Sequence, residues 1–301
     1  MNPKASVVVP TYNRCDILTR CLESLFEQTA ASSSYEIIVV DDGSTDGTPE
    51  MVKGMAEKAP CELIYIRQNN SGRSRARNTG VLAAHGAYII FLDGDMVVKR
   101  TFVAAHLAAH RKSGLVANGP VVNTPTIVDP NTGPPKVHDL SRAFFATGNV
   151  SVEREKIIAA GLFDEDFVEY GWEDLELGER LRHMGLRAVK SPAACSFHLQ
   201  PRLTFTGIPS LIAKEKERGH MAVLFYQKNP SPSVKMMTLL SPAYFAFDRI
   251  ITLFHWPERP GTHKLLKRIG GSGRNILFQF LVAIIKSHAY ADGIRERLIN
   301  K

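Results

Sequence analysis

Tyr88-Ile-Ile-Phe-Leu-Asp-Gly-Asp95 is an apolar run that ends in two carboxylates one residue apart. Five residues rich in β-branched and aromatic side chains read as a buried strand, and the polar triplet marks where it stops. Successive strand residues face opposite ways, so Asp93 and Asp95 share a face, while Gly94 leaves room for something to approach the backbone. Two such carboxylates can hold a divalent cation whose other ligands are phosphate oxygens. Mg²⁺ and Mn²⁺ favour oxygen donors and often rest on one or two carboxylates, so the protein need not supply a full cage. Taken alone, Asp-Gly-Asp is ordinary turn chemistry, and its neighbours must decide.

Working outward, short β-rich runs alternate with helical stretches. Ser6-Val-Val-Val9, Glu36-Ile-Ile-Val-Val40 and Glu62-Leu-Ile-Tyr-Ile66 read as strands, with helices over 15–28, 48–58 and 74–85. Continuous apolar strands separated by helices imply a parallel sheet covered on both faces, and such sheets bind ligands beyond the carboxyl ends of their strands. Pro10-Thr-Tyr-Asn-Arg14, Asp41-Asp-Gly-Ser-Thr-Asp46 and Asp93-Gly-Asp95 all follow strands, so they should gather on one rim. A turn-rich stretch over 123–135 reads as an exposed loop or an insertion near the site mouth. Ala146-Thr-Gly-Asn-Val-Ser-Val152 reads as a further strand. The stretch 172–184 reads as an amphipathic helix packing through Leu175, Leu181 and Met184 and stopped by Gly185. A last strand is expected over 193–197.

From Leu203 onward the alternation is lost, which places a boundary near 201, with a domain over 1–201 and an extension over 202–301. The 301 residues are 44% hydrophobic, enough for a substantial core. The net charge of +7 is unevenly shared: residues 1–201 carry 21 Lys and Arg against 24 Asp and Glu, and residues 202–301 carry 16 against 6. The basic character therefore belongs to the last third, which suits an anionic surface. An apolar run over 236–256 is broken by Asp248 and Arg249, and a second over 276–285 is only ten residues, too short to span a bilayer. Two readings of the extension stand side by side: a helical appendage packed on the catalytic domain or on a second subunit, or a monotopic contact with an anionic membrane. For the second, Tyr244, Phe245, Phe247, Phe254 and Trp256 would supply apolar faces and Arg259, Lys264, Lys267 and Arg268 the charge. Cys15, Cys21, Cys61 and Cys195 have no Cys-x-x-Cys spacing, and Met1-Asn-Pro-Lys4 lacks a secretory apolar stretch. The expectation is a cytoplasmic protein, peripheral on the inner face of the cell membrane if the extension binds lipid.

Four segments follow one another in order: Val7-Val-Val-Pro-Thr-Tyr-Asn-Arg14, Val39-Val-Asp-Asp-Gly-Ser-Thr-Asp46, Ser71-Gly-Arg-Ser-Arg-Ala-Arg-Asn-Thr-Gly80 and Phe91-Leu-Asp-Gly-Asp-Met96. As an ordered set they closely resemble family-2 glycosyltransferases of the GT-A fold, over about residues 5–200. The resemblance implies a Rossmann-like mixed α/β sheet flanked by helices, with a helical C-terminal extension. It implies a nucleotide-sugar donor, UDP-linked, with the base near Thr11, Tyr12 and Asp42, the ribose near Asp93, and Arg77 with Asn78 on the donor side. Asp42 could accept from the uracil N3–H and Asp93 from ribose hydroxyls. Asp41 reads as part of a capped turn, Asp46 and Thr48 as helix-start residues, and Arg73 and Arg75 as solvated arginines.

By the same resemblance, Gly148-Asn149 and Glu169-Tyr-Gly-Trp-Glu-Asp174 are acceptor-side motifs. Asp174 would be the base of an inverting transfer to a glycan or lipid-linked acceptor, taking the proton of the attacking hydroxyl. Glu173 would hold an acceptor hydroxyl and Trp172 would offer an apolar face to a sugar ring. Read without the other motifs, the same acidic residues suit a helix amino terminus. Asp95 would hold the metal, Mn²⁺ or Mg²⁺, and His198 would complete its shell; an imidazole beside a carboxylate favours Mn²⁺. His106 and His110 have i, i+4 spacing without a third ligand and read as surface residues.

The rivals are weaker. A dinucleotide-dependent dehydrogenase needs Gly-x-Gly-x-x-Gly after the first strand, where this chain has Pro10-Thr-Tyr-Asn13. A sugar nucleotidyltransferase needs an early glycine-rich loop with a lysine for a triphosphate, and a non-catalytic nucleotide- or glycan-binding scaffold would not need carboxylates at 93, 95 and 174. Nucleic acid is disfavoured as a partner because the basic tail forms no recognised module.

Overall fold

Strand residues of the first half point alternately into two separate cores. Val7, Val9, Ile37, Val39, Ile90 and Leu92 lie in one, and Val8, Ile38, Val40, Ile89 and Phe91 in the other. A sheet buried on both faces is what continuous Val/Ile runs require. The computed structural model describes residues 3–126, 128–132, 143–271 and 273–299. They divide into two compact units, Met1–Val168 with Asp174–Gln200, and Glu169–Glu173 with Pro201–Lys301.

In the first unit the order is β1 (Ala5–Thr11), α1 (Cys15–Phe26), β2 (Tyr35–Asp41), α2 (Thr48–Ala56), β3 (Glu62–Arg67), α3 (Arg73–Ala83), β4 (Tyr88–Leu92), β5 (Met96–Val98) and α4 (Phe102–Ala109). Then come β6 (Leu115–Asn118), β7 (Val121–Thr124), β8 (Asn149–Glu153), α5 (Arg154–Ala159), α6 (Glu173–His183), β9 (Arg187–Lys190) and β10 (Ser196–Leu199). The main sheet runs β3-β2-β1-β4-β8-β6-β9. Its first four strands are parallel, and β8 enters antiparallel between β4 and β6. The register Leu92↔Asn149 therefore sets the start of β8 beside the end of β4. A second sheet, β5-β10-β7, pairs His198 with both Met96 and Asn123.

Three local expectations change. Asn123 and Thr124 are strand residues in β7 rather than loop, held by parallel pairing with β10; Ile127 and residues 133–135 of that stretch lie outside the described residues. His198 lies inside β10, not after a strand ending at 197. On α6, Leu181 is buried, but Met184 lies in the turn past the helix end and is 42% exposed, and Leu177 fills the core position instead.

The second unit is helical: α7 (Ile208–Lys228), α8 (Pro232–Met237), α9 (Pro242–Ile251), a 3-10 turn over Leu253–Glu258, α10 (Pro260–Ile269) and α11 (Ile276–Ile299). The run at 276–285 is thus the start of a 24-residue helix. Helices α7 and α11 touch backbone to backbone at glycines: a Cβ on Gly219 would meet the Tyr290 carbonyl at 2.4 Å and one on Gly293 the Lys216 carbonyl at 2.1 Å. Ile208, Leu266, Phe278, Val282 and Ile285 form the core beside them. Among the described residues no helix is long and apolar enough to cross a membrane.

Candidate active site

The ends of β1, β2 and β4 form the rim. Asn13, at φ 51°, joins the first two: its amide N–H donates to Ser44 Oγ at 2.8 Å, and its side-chain oxygen accepts from Thr45 N at 2.8 Å. Asp41 is the last residue of β2 and holds the turn that follows, accepting from Ser44 N at 2.8 Å and from Tyr65 Oη at 2.6 Å. Asp42 gathers the entry to α3, accepting from Gln68 Nε2 at 2.8 Å and from the backbone N–H groups of Ser71 and Gly72, each at 2.9 Å. Three of the roughly four lone-pair sites of a carboxylate are then filled, leaving one on Oδ2. Thr11 is buried, and its hydroxyl finds no partner among the described residues; Tyr12 beside it is 45% exposed.

Asp93 and Asp95 are held by different cations. Arg77 Nη2 donates to Asp93 Oδ1 at 3.0 Å, and Asp93 remains 38% exposed. Arg77 itself is buried with its guanidinium over the Phe163 ring. Asp95, only 16% exposed, receives Arg14 on Oδ2, with His198 Nε2 at 3.4 Å from the same oxygen. Burial works to raise the Asp95 carboxyl, but His198 and Arg14 beside it outweigh that and hold it below the ordinary value. The Asp95 contact in turn raises the His198 imidazole, against the effect of its burial. Gly94 keeps room for the chain itself rather than for a ligand: a Cβ there would lie 3.1 Å from the Pro10 carbonyl and 3.4 Å from Leu18 Cδ1. Gly148 is the glycine that borders the carboxylates, since a Cβ there would sit 3.6 Å from Asp93 Oδ2.

The fit to a divalent cation rests on the donor set. Two donors on adjacent positions of one ion, each about 2.1 Å away, lie about 3 Å apart, close to the Asp95–His198 separation. His198 Nδ1 meets Asn123 Oδ1 at 3.0 Å. An Nδ1–H donated to that oxygen leaves the Nε2 lone pair facing Asp95, the arrangement by which an outer hydrogen bond orients a metal-binding imidazole. A carboxylate oxygen with an imidazole nitrogen suits Mn²⁺.

Several expected site residues are engaged elsewhere. Asn78 is not open to a donor: its amide donates to Phe163 O at 2.9 Å and Glu165 Oε1 at 3.0 Å and accepts from Phe163 N at 2.9 Å. Asn149 is not open to an acceptor. It donates to Ala194 O, Pro120 O and Ser196 Oγ, and meets His106 Nε2 at 2.9 Å. Trp172 is only 7% exposed, donates Nε1–H to Arg218 O at 2.9 Å, and packs on Phe225, Tyr290 and the Arg218 guanidinium within the second unit, so its ring offers no free face to a sugar. Glu173 is buried at the start of α6. Asp174, next on the helix, is partly exposed and accepts from Leu175 N at 2.8 Å.

His106 and His110 are buried, not on the surface. Both touch Ser151 Oγ at 2.8 Å. Because Nε2–H of His106 must donate to Asn149 Oδ1, its Nδ1 accepts from Ser151, and Ser151 in turn accepts from Nε2–H of His110. The signal for this burial was legible: Phe-Val-Ala-Ala-His-Leu-Ala-Ala, the whole of α4, has no polar face other than the histidine. Arg14 and Asn123, which hold Asp95 and His198, went unassigned in the sequence because nothing in spacing reveals a partner 81 or 75 positions away.

The profile of the family described as "Glycosyl transferase family 2" matches residues 6–160. Validoxylamine A glucosyltransferase of Streptomyces hygroscopicus subsp. jinggangensis is 31% identical over 223 residues, covering 61% of this chain and 52% of that protein. Chondroitin synthase of Escherichia coli is 28% identical over 240 residues, 65% of this chain and 34% of that one. The chain thus spans about half the length, or less, of these relatives. Among solved structures, the mannosyltransferase PcManGT of Pyrobaculum calidifontis, in complex with GDP-Man and Mn²⁺, aligns over 100% of this chain and 88% of its own with a TM-score of 0.64 at 19% identity. GalNAc-T7 with UDP, GalNAc and Mn²⁺ aligns over 65% of this chain and 43% of its own with a TM-score of 0.57 at 18% identity. With a mixed sheet flanked by helices, GT-A structural neighbours and a profile match over half its length, the chain belongs to glycosyl transferase family 2.

Proposed function

We propose that this chain transfers a hexose or N-acetylhexosamine from a nucleotide-diphospho-sugar, UDP-linked, to a hydroxyl of a glycan or lipid-linked acceptor, with inversion and with Mn²⁺ or Mg²⁺. The observation that carries the reading is the pair Asp95–His198 at 3.4 Å, with Asn123 behind the imidazole and Asp93 on the same rim. Mn²⁺ with GDP-Man in one structural neighbour and with UDP in another supports a nucleotide-bound cation in this fold and makes GDP the control nucleotide. When bound, the cation would offset the charge of the departing diphosphate.

The chain's own residues do the rest. Thr11 and Tyr12, with the remaining Asp42 lone pair, border the base, and the exposed edge of Asp93 accepts from ribose hydroxyls while Arg77 fixes its orientation. Gly148 keeps the space beside Asp93 open. Asp174 takes the acceptor proton, and Glu173 holds an acceptor hydroxyl. The basic second unit would rest on the anionic cytoplasmic face of a membrane, its exposed Phe247, Ile250 and Phe254 turned to lipid, or would contact a second copy.

The test combines binding with turnover. UDP plus Mn²⁺ should raise the melting temperature more than UDP alone, Mn²⁺ alone or GDP plus Mn²⁺, and a UDP-sugar should be hydrolysed slowly without acceptor. Asp95→Ala should abolish the metal-dependent part. Asp174→Asn should keep donor binding and lose transfer; a fully active Asp174→Asn chain would remove the base assignment.

A further inference from the structure

Residues 202–301 carry only six acidic side chains against sixteen basic ones, yet three of the six, Asp248, Glu258 and Asp292, converge on one histidine of the second unit. His288 Nδ1 lies 3.0 and 3.1 Å from the two oxygens of Asp248, which is fully buried on α9. That contact fixes the ring, and its far nitrogen, Nε2, points at Asp292 Oδ2, 3.5 Å away, and Glu258 Oε1, 4.0 Å away. Nε2 and one oxygen of each carboxylate all lie within 4.8 Å of one another. The three side chains line a cavity of about 1300 Å³, so solutes reach them.

We propose that Glu258, His288 and Asp292 form a binding site for a divalent transition-metal ion, Zn²⁺, with Asp248 as the outer carboxylate that orients the imidazole. Four ligands about 2.05 Å from a tetrahedral ion are separated by about 3.3 Å, so the His288–Asp292 pair already stands near ligand distance, and the exposed Glu258 side chain must swing in by roughly 1 Å to join it. Charge is compatible with the same occupant: Arg295 donates to Asp248 at 2.6 Å and to Asp292 Oδ1 at 2.7 Å, with Lys235 and Arg249 elsewhere on the cavity wall, and Glu258 adds a third carboxylate beside the imidazole. A buried carboxylate hydrogen-bonded to Nδ1 with Nε2 aimed at further donors is the outer arrangement that metal-binding histidines use. The ion would fasten the 3-10 turn over Leu253–Glu258 to α11, joining segments thirty residues apart. It shares no residue with the rim, so its failure leaves the transfer reading intact.

The test uses the full chain carrying Asp95→Ala and His198→Ala, which removes the rim donors. Calorimetric titration with Zn²⁺ should find one saturable equivalent in this background, weakened about tenfold or more by Asp292→Asn and by Glu258→Gln. Metal-free melting curves of the variants should match the background; Glu258 is exposed, and Asp292→Asn leaves the Asp248–His288 pair in place. Independently of those variants, Co²⁺ added to the background chain should give the intense visible absorption of a four-coordinate site. No saturable uptake, uptake unchanged by both substitutions, or only the pale six-coordinate Co²⁺ spectrum would overturn the proposal in favour of an ion-pair network around protonated His288.

Discussion

Replacing His110 by Phe should make the first unit less sensitive to acid. The His110 ring stacks on Tyr88 with centroids 4.4 Å apart, so Phe keeps the packing and removes a titrating group. Burial pushes both His106 and His110 down to about 4 from the model-peptide value of 6.5. Such a group stays neutral in the folded chain while the unfolded chain takes up a proton below 6.5, so stability falls as pH drops from 6.5 towards 4. Between pH 7 and pH 5 the loss is about 2 kcal/mol for each histidine. Elevated histidines act in the opposite sense: His85, His198 and His288 add stability as pH falls through their folded values. The absolute slope therefore mixes signs, and the difference between wild type and His110→Phe isolates the buried ring. Both tryptophans, Trp172 and Trp256, belong to the second unit, so fluorescence reports the wrong place. Hydrogen exchange of peptides covering Asn149–Glu153 reads β8 directly. The variant should lose about 2 kcal/mol less protection than wild type between pH 7 and 5. Equal losses, or a His106 imidazole that titrates near 6.5 by NMR, would refute the buried Asn149–His106–Ser151–His110 chain.

Arg14→Ala should strengthen metal binding in the absence of donor, because the guanidinium and the ion contend for Asp95 Oδ2; for a half-exposed arginine the gain is about 1 kcal/mol, roughly fivefold in Kd by calorimetry. Since the Asp95 contact raises His198 and a cation needs its neutral form, Mn²⁺ affinity should fall up to about tenfold per pH unit on the acid side of that raised value; a flat profile from pH 8 to 6 would exclude His198 as a ligand. Gly94→Ala puts a methyl 3.1 Å from the Pro10 carbonyl and should cost about 1–2 kcal/mol in urea unfolding while lowering donor turnover.

The parallel half of the sheet was legible because buried strands need unbroken Val/Ile runs, and the carboxylates that end them fall on one rim by strand direction alone. Direction was not: Asn149-Val-Ser-Val152 has the same alternating look whether it pairs parallel or antiparallel, and only the register Leu92↔Asn149 decides. Asn78, Asn149 and Trp172 show a second limit. Polar and aromatic residues in motifs read as ligand contacts, yet a buried amide or indole must first satisfy its own hydrogen bonds, and these three spend theirs on Phe163, His106 and Arg218. Asp95 and His198 could be paired from the resemblance, but Arg14 and Asn123 emerge only when β1, β7 and β10 are assembled.

The antiparallel entry of β8 has a consequence for how the rim can change. In a parallel sheet every segment reaching the rim leaves a strand and must return across the sheet to begin the next. The segment ahead of β8 instead arrives at the rim and enters the sheet there, with Gly148 against Asp93. Strand register does not set its length there, but Phe145, fully buried against Phe91 and Phe163, does: residues added or removed between 145 and 148 would displace that ring from the core. A change that keeps Phe145 and Gly148 in place therefore leaves the carboxylates at the end of β4 where they are.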